Sequence, residues 1–410
     1  MLFADLLKNV IQDGAVSLID SRGKTYIAGD SSEPVCTVRL HRRSLDVTLI
    51  FNPALSVPEA YMAGNLTIED GTLYDFMDLV ARNFKRLEQS FLFRMLKLFD
   101  IAKFGQYNPI TRSRKNVAHH YDLSDDLYNL FLDPDRQYSC AYFSNEDTDL
   151  ETAQLEKKRH LAAKLLLQPG QKVLDIGSGW GGLGLYLSKA ENVDITGVTL
   201  SVEQHKVSVN RAENAGLSDR VKFRLQDYRD ERTIYDRIVS VGMFEHVGKR
   251  NYAEFFKNIE ARLADDGVMV LHSIGRFNKP HPINPFIRKY IFPGADLPAL
   301  SEVTSAIEPF NLIITDIEIL RLHYAETLRH WRERFMKHWD KAAEIYDEQF
   351  CRMWELYLVL CEVGFRHLDL MVFQIQLAKR LDAVPLTRDY MVDWERKQAE
   401  RDNDKQRHAA

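Results

Sequence analysis

The stretch Val173-Leu-Asp-Ile-Gly-Ser-Gly-Trp-Gly-Gly182 restricts this chain more than any other. Val173, Leu174 and Ile176 make the apolar run of a strand buried on both faces, and Asp175 stands next to its end. Gly177, Gly179 and Gly181 let the backbone bend sharply and come close to a ligand. Leu183, Leu185, Tyr186 and Leu187 then restart the pattern at helical spacing. A helix that opens at such a turn offers unpaired N–H groups and favours negative charge. The stretch predicts a strand, a tight turn and a helix, with a nucleotide-type ligand at the turn.

Dinucleotide-binding folds share such a turn. The next strand, 193–200, separates the cases. It ends without the acidic residue that grips an NAD ribose and leads into Thr199-Leu200-Ser201-Val-Glu-Gln204. Ser201 with Gln204 three residues on has the form of a helix capping box. Asp-Ile-Gly-Ser-Gly-Trp-Gly followed by Thr-Leu-Ser-x-x-Gln resembles the S-adenosylmethionine-dependent methyltransferases of the cyclopropane-fatty-acyl-phospholipid synthase family. The resemblance runs from about residue 58 to 380.

Helix and strand alternate over 150–275. Helices are expected at 152–167, 182–190, 201–215 and 252–263, and strands at 172–176, 194–200, 221–226, 236–241 and 267–274. This rhythm builds a parallel sheet covered on both faces, with ligands at the carboxyl ends of its strands. A strand at 312–320, a helical region over 325–364 and a last strand near 370–377 follow. The fold class is α/β. With the resemblance, it is a Rossmann-like class I methyltransferase domain with a mixed seven-stranded sheet, plus a small N-terminal α+β domain.

That N-terminal domain, residues 1–81, reads as a helix at 3–13 and strands at 15–19, 25–28, 36–40 and 47–51. Val47, Leu49 and Phe51 supply the alternation of the last of these. In the resembled family this unit docks on lipid; a packing module without a ligand is the other reading. Residues 82–115 form a basic amphipathic linker, in which Arg86, Arg94 and Lys97 alternate with Phe91, Leu92 and Phe99. It either lies on an anionic bilayer surface or packs between domains. The catalytic domain is expected over 116–394, and the charged tail 395–410 is expected to be disordered.

The formal net charge of -5 gives no support to nucleic-acid binding. No apolar run approaches the roughly 20 residues of a membrane span, so any lipid contact is peripheral. The N-terminus lacks the form of a signal peptide, and four cysteines without a C-x-x-C pair suit reduced cytosolic thiols. The expected location is cytoplasmic, peripherally associated with the inner face of the membrane. The resemblance adds a homodimer, whose two copies would strengthen the grip on a bilayer.

The resemblance assigns S-adenosylmethionine to Tyr138, Ser139, Gly177, Gly179, Thr199, Leu200, Gln204, Asp227 and Tyr228. It assigns a bicarbonate cage to Cys140, Glu245, His272, Ile274 and Tyr324, with no metal. Read without it, Cys140 is a buried structural thiol, His272 a core histidine of an apolar strand, and Asp227 a turn former. Glu245 is expected to hold His272 in one tautomer. The proline-rich, aromatic stretch 276–300 reads as a lid over the substrate.

An isolated cis double bond is a poor nucleophile and needs a strong methyl electrophile at near-attack distance. The implied activity is methylene transfer from S-adenosylmethionine to cis double bonds of unsaturated acyl chains in membrane phospholipids. It passes through a carbocation, deprotonated by bound bicarbonate to close the ring. Phe143, Tyr290 and Phe292 are candidates to steady that cation. A related fatty-acyl C-methyltransferase giving a methyl-branched or methylene product is the alternative. A lipid-binding module on a degenerate methyltransferase fold is a third reading.

Overall fold

The computed structural model describes residues 2–29, 35–84 and 124–409. The linker expected at 82–115 lies almost wholly outside them. The chain divides into two units. The first gathers Met1–Gly105, Pro282–Pro293 and Ala325–Leu370, and the second Gln106–His281, Gly294–Tyr324 and Met371–Ala410. The expected boundaries at 81 and 116 therefore miss two later stretches that join the N-terminal residues.

Specific contacts account for that grouping. Tyr61 Oη donates to Glu355 at 2.5 Å, and the Arg332 guanidinium lies 4.7 Å from the centre of the Tyr74 ring. His367 Nε2 sits 2.6 Å from Asp78. Within 282–293, Lys289 Nζ and the Tyr290 hydroxyl both donate to Glu59, at 2.7 and 2.8 Å. Tyr290 thus spends its hydroxyl on Glu59, and Phe292 packs edge-on to Tyr357. Both residues serve packing of the first unit.

The first unit holds a four-stranded sheet in the order β2-β1-β3-β4. Its strands are β1 (Ala15–Ile19), β2 (Thr25–Gly29), β3 (Cys36–Leu40) and β4 (Leu66–Asp70). β1 runs antiparallel to β2 and parallel to β3. Residues 47–51, expected as a strand, belong to the helix Leu45–Phe51. The alternation misled because burial follows a helical step there. Leu45 and Leu49 are buried, while Val47 and Phe51 are 46% and 67% exposed.

In the second unit the strands are β5 (Lys172–Ile176), β6 (Asp194–Thr199), β7 (Val221–Leu225), β8 (Tyr235–Val241), β9 (Leu263–Arg276), β10 (Ile313–Ile319) and β11 (Leu370–Ala378). They form one seven-stranded sheet in the order β10-β11-β9-β8-β5-β6-β7. β5 is parallel to β6 and β8, and β10 is antiparallel to β11, so the sheet is mixed as expected. Neighbouring residues go to opposite faces: Leu174, Ile238 and Met269 enter one apolar core, and Val173, Val239 and Val270 the other. Both faces are therefore covered, as apolar strands require. The chain leaves β5 in one direction through β6 and returns on its other side as β8. The crevice at this reversal is where an open α/β sheet takes its ligand.

The expected disordered tail is helical, as Asp389–Ala409. Its charges have partners: Asp402 accepts from Arg159 at 3.0 Å and from the Tyr186 hydroxyl at 3.3 Å, and Trp394 Nε1 donates to Glu191. Composition alone could not reveal these partners.

Candidate active site

The turn after β5 needs its glycines. Gly177, Gly179 and Gly181 have φ of 84°, 52° and 83°, the left-handed region that side chains disfavour. A Cβ on Gly177 would stand 2.8 Å from Cβ of Met243, and one on Gly182 would stand 2.5 Å from the Asp135 carboxylate. The turn is pinned to β6, since Gly177 and Ser178 N–H both donate to the Val198 carbonyl, at 2.9 and 3.0 Å.

A strap over residues 133–139 lies against this turn. Asp135 is paired with Lys158 at 2.5 Å and also with Arg211, whose Nη1 donates to the Trp180 carbonyl at 2.9 Å. The neighbouring helix Leu150–Leu165 holds the strap from behind. Gln154 Nε2 donates to the Gln137 and Ser139 carbonyls, at 3.1 and 3.0 Å. Lys157 Nζ donates to Gln137 Oε1 and Ser139 Oγ, at 2.6 and 2.8 Å. Gln154, Lys157, Lys158, His160 and Lys164 are all buried on this one helix. A helical face of polar residues where an apolar stripe was due is the sequence signal that went unread.

All nine residues expected to bind the cofactor line one cleft, with about 1260 Å³ of empty space. Ser201 caps the helix Val202–Asn214 by accepting from Gln204 N–H at 3.3 Å. The Gln204 side chain does not complete the box. Its Oε1 accepts from Thr199 Oγ1 at 3.0 Å instead, which fixes the amide in the cleft wall. Asp227 receives both Nε and Nη2 of Arg229, at 2.9 and 2.8 Å. The same cleft is lined by residues the sequence reading missed: Lys157, Asp175, Trp180, Met243 and His246. Burial pulls Lys157 down to about 7 and pushes Asp175 up to about 7. One carboxylate oxygen of Asp175 and the Ser178 hydroxyl are buried without a partner among the described residues. Such orphaned groups, beside a turn whose Gly177, Gly181 and Gly182 leave no room for a side chain, suit the polar amino-acid end of S-adenosylmethionine.

The five residues assigned to the cage lie on four segments. Glu245 is buried after β8, and its Oε1 accepts from Ile274 N–H on β9 at 2.7 Å. Its Oε2 is buried and unpaired among the described residues. Burial raises Glu245 to about 7, against the Ile274 hydrogen bond that lowers it. His272, two residues earlier on β9, is buried and pushed down to about 3, so it is neutral. Its Nδ1 pairs with the Gln374 amide at 3.1 Å. The expectation that Glu245 orients His272 is therefore corrected: Gln374 of β11 takes that place, and Glu245 is itself oriented by Ile274. Cys140 is buried at the end of the strap and donates to the Ala141 carbonyl. Tyr324 is buried in the first turn of the helix His323–Lys337. The adjacent His323 accepts from Phe143 N–H at 3.0 Å and stacks on Tyr142, which ties this helix to the segment after Cys140.

Residues 109–375 match the family described as mycolic acid cyclopropane synthetase. That match begins at 109, where the sequence resemblance was expected from about 58. The cyclopropane-fatty-acyl-phospholipid synthase of Escherichia coli (strain K12) is 42% identical over 263 residues, 64% of this chain and 67% of that protein. The tuberculostearic acid methyltransferase UfaA1 of Mycobacterium tuberculosis is 41% identical over 283 residues, 65% of this chain and 66% of that protein. Among solved structures, the cyclopropane synthase MmaA2 from Mycobacterium tuberculosis is 34% identical with a TM-score of 0.63, covering 67% of this chain and 100% of its own. The mycolic acid cyclopropane synthase CmaA1, solved with SAH and CTAB, is 33% identical with a TM-score of 0.62, covering 67% and 99%. With the glycine turn, the Thr-Leu-Ser-x-x-Gln segment and the seven-stranded sheet in place, the chain belongs to the mycolic acid cyclopropane synthetase family of S-adenosylmethionine-dependent methyltransferases.

Proposed function

We propose that this enzyme transfers a methylene group from S-adenosylmethionine to cis double bonds of unsaturated acyl chains in membrane phospholipids, making cyclopropane fatty acids. The observation that carries the reading is the buried Glu245 carboxyl, held by the N–H of Ile274, two residues along β9 from the neutral His272, with its second oxygen unpaired among the described residues. The sulfonium of the bound methyl donor supplies an electrophilic methyl group. The chain's task is to place it: Tyr138 and Ser139 wall the cleft, Gly177 and Gly179 allow close approach, and Thr199, Leu200 and Gln204 would hold the cofactor from the β6 side. Tyr228 would offer a flat face to the adenine, and Asp227 a partner for its edge.

Glu245 also suits an inorganic anion. A carboxyl raised to about 7 keeps a large protonated fraction near neutral pH, and that form donates its O–H. Bicarbonate held by Glu245, His272, Cys140 and Tyr324 would supply a base in an apolar site where an ionised side chain is costly. Ile274 serves by orienting Glu245, since its N–H is already engaged. The enzyme works from the cytoplasm on the inner face of the membrane as a peripheral homodimer, with preference for anionic bilayers and the N-terminal unit as the lipid-docking part.

Purified protein incubated with methyl-labelled S-adenosylmethionine and unsaturated phospholipid vesicles should yield a lipid carrying label in a cyclopropane ring. A labelled methyl branch without a ring would overturn the ring-forming reading. The branched product is the second reading. A relative named for tuberculostearic acid stands at 41% identity beside the cyclopropane synthase at 42%. Both outcomes share one cation: loss of a proton from the new methyl group closes the ring, and loss of a different proton after a hydride shift leaves a methylene branch. A saturated methyl branch needs a separate hydride donor besides.

A further inference from the structure

His160 has no part in the assignments above, although it is buried on the polar face of the helix Leu150–Leu165. Its Nδ1 meets the Glu395 carboxylate, and its Nε2 lies 2.7 Å from Glu318. Carboxylates only accept, so both ring nitrogens donate and the ring is an imidazolium. Burial works against that charge, but the hydrogen bonds to Glu318 and Glu395 outweigh it and hold His160 above the usual histidine range. Glu318, despite its own burial, is kept below the usual carboxylate range by His160 and Lys164. The other charges packed on this point are matched as well. Lys164 pairs with Glu318 and lies 3.7 Å from Asp316, which Arg388 reaches at 2.7 Å. His160 therefore joins its own helix to β10 through Glu318 and to the C-terminal helix through Glu395. Removing one member of such a buried cluster leaves a charge uncompensated.

Two lines run from this clamp toward the cage. Along the first, the His160 ring stacks on Tyr142 with 4.3 Å between ring centres, and Tyr142 stacks on His323 at 4.8 Å. Tyr142 follows Cys140 by two residues and donates its N–H to the Ala153 carbonyl at 3.1 Å, while His323 immediately precedes Tyr324. Along the second, Glu318 stands opposite Gln374 in the β10–β11 register, on the same face of the sheet, and Gln374 holds His272. None of His160, Tyr142, Glu318 and Glu395 lines the cofactor cleft. We propose that His160 is a positioning residue for the anion site. Clamped between Glu318 and Glu395, it fixes the segment after Cys140 and the helix start that bears Tyr324 at the separation the anion needs, so the C-terminal helix serves the reaction from outside the site. The clamp rests on the anion-cage reading and deepens it.

The test is turnover of wild type, His160→Gln, Glu395→Gln and Tyr142→Leu over a bicarbonate series, starting from protein and unsaturated vesicles freed of bicarbonate. Calorimetry with S-adenosylhomocysteine on the same samples reads the cofactor cleft. Half-saturating bicarbonate should rise roughly tenfold in each variant, the scale of one lost contact to a charged group. Affinity for S-adenosylhomocysteine should stay within about twofold of wild type. A mere staple for the C-terminal helix would lower the melting midpoint and leave the bicarbonate requirement untouched. That result, like an equal loss on bicarbonate and S-adenosylhomocysteine, overturns the proposal. Tyr142 is only half-buried, so Tyr142→Leu decides by the same criterion if His160→Gln fails to fold. Wild type indifferent to bicarbonate overturns the cage reading and the clamp with it, whereas a bicarbonate-dependent wild type with indifferent variants overturns the clamp alone.

Discussion

Glu245 couples protonation to stability in a direction that can be measured. Its folded value, about 7, lies above the ordinary 4.5. Below 4.5 the carboxyl is neutral in both folded and unfolded chains and carries no penalty. As pH climbs toward 7 the unfolded chain ionises and the buried group does not, so folded stability falls by up to about 3 kcal/mol. Urea unfolding of wild type and Glu245→Gln at pH 5 and 7.5 should show wild type losing ground to the variant at the higher pH; a constant difference would mean that Glu245 titrates normally. Turnover of Glu245→Gln should recover partly when bicarbonate is added. His272→Ala should lower turnover roughly 10²- to 10⁴-fold with S-adenosylhomocysteine affinity within about twofold of wild type, and a large loss of binding would place His272 at the cofactor instead. At this scale most of the residues lining the cleft were legible because they sit in short motifs at strand ends. Gln374 was not, because its partner His272 is 102 residues away and only the β9–β11 pairing brings them together.

At the scale of elements, the helix Leu150–Leu165 and the glycine turn act as two jaws on the 133–139 strap. Gly182→Ala would drive a methyl group into the Asp135 carboxylate and Gln137 amide. That substitution should destabilise by about 1–3 kcal/mol as the strap shifts and weaken S-adenosylhomocysteine roughly tenfold; a native melting curve with native affinity would show the strap to be slack. Most strands of the catalytic sheet were legible because a doubly covered strand is a plain apolar run between turn signals. The helix at Leu45–Phe51 was not, because seven residues satisfy a period of two and a step of four equally well. The polar face of Leu150–Leu165 was visible as polar residues where an apolar stripe was due, but its burial was not, because buried Lys and Gln declare themselves only through tertiary partners.

At the scale of the molecule, the C-terminal helix adds support that composition hides. Removing residues 389–409 deletes the Arg159–Asp402 pair, whose side chains are only 11% and 13% exposed, and the Trp394–Glu191 hydrogen bond. Thermal unfolding should drop by at least roughly 4 °C, and an unchanged midpoint would mean that the helix only rides on the surface. The grouping of 282–293 with the N-terminal residues makes a further prediction. In native-state hydrogen exchange under mild denaturant, amides of 282–293 should open together with those of helix Pro53–Met62, and Glu59→Gln should speed exchange in 282–293 severalfold. Opening in step with β8 and β9 would contradict it. The two-unit division was only half legible, because it depends on pairs such as Tyr61 with Glu355, 294 residues apart.

Each unit is woven from three separate stretches of chain. A protease that severs one peptide bond can free neither of them whole, and a gene fragment beginning at residue 109 would code for helices 325–370 stripped of the tyrosine and aspartate that hold them. Every change near Glu355 or Asp78 is therefore answerable to residues encoded hundreds of codons away.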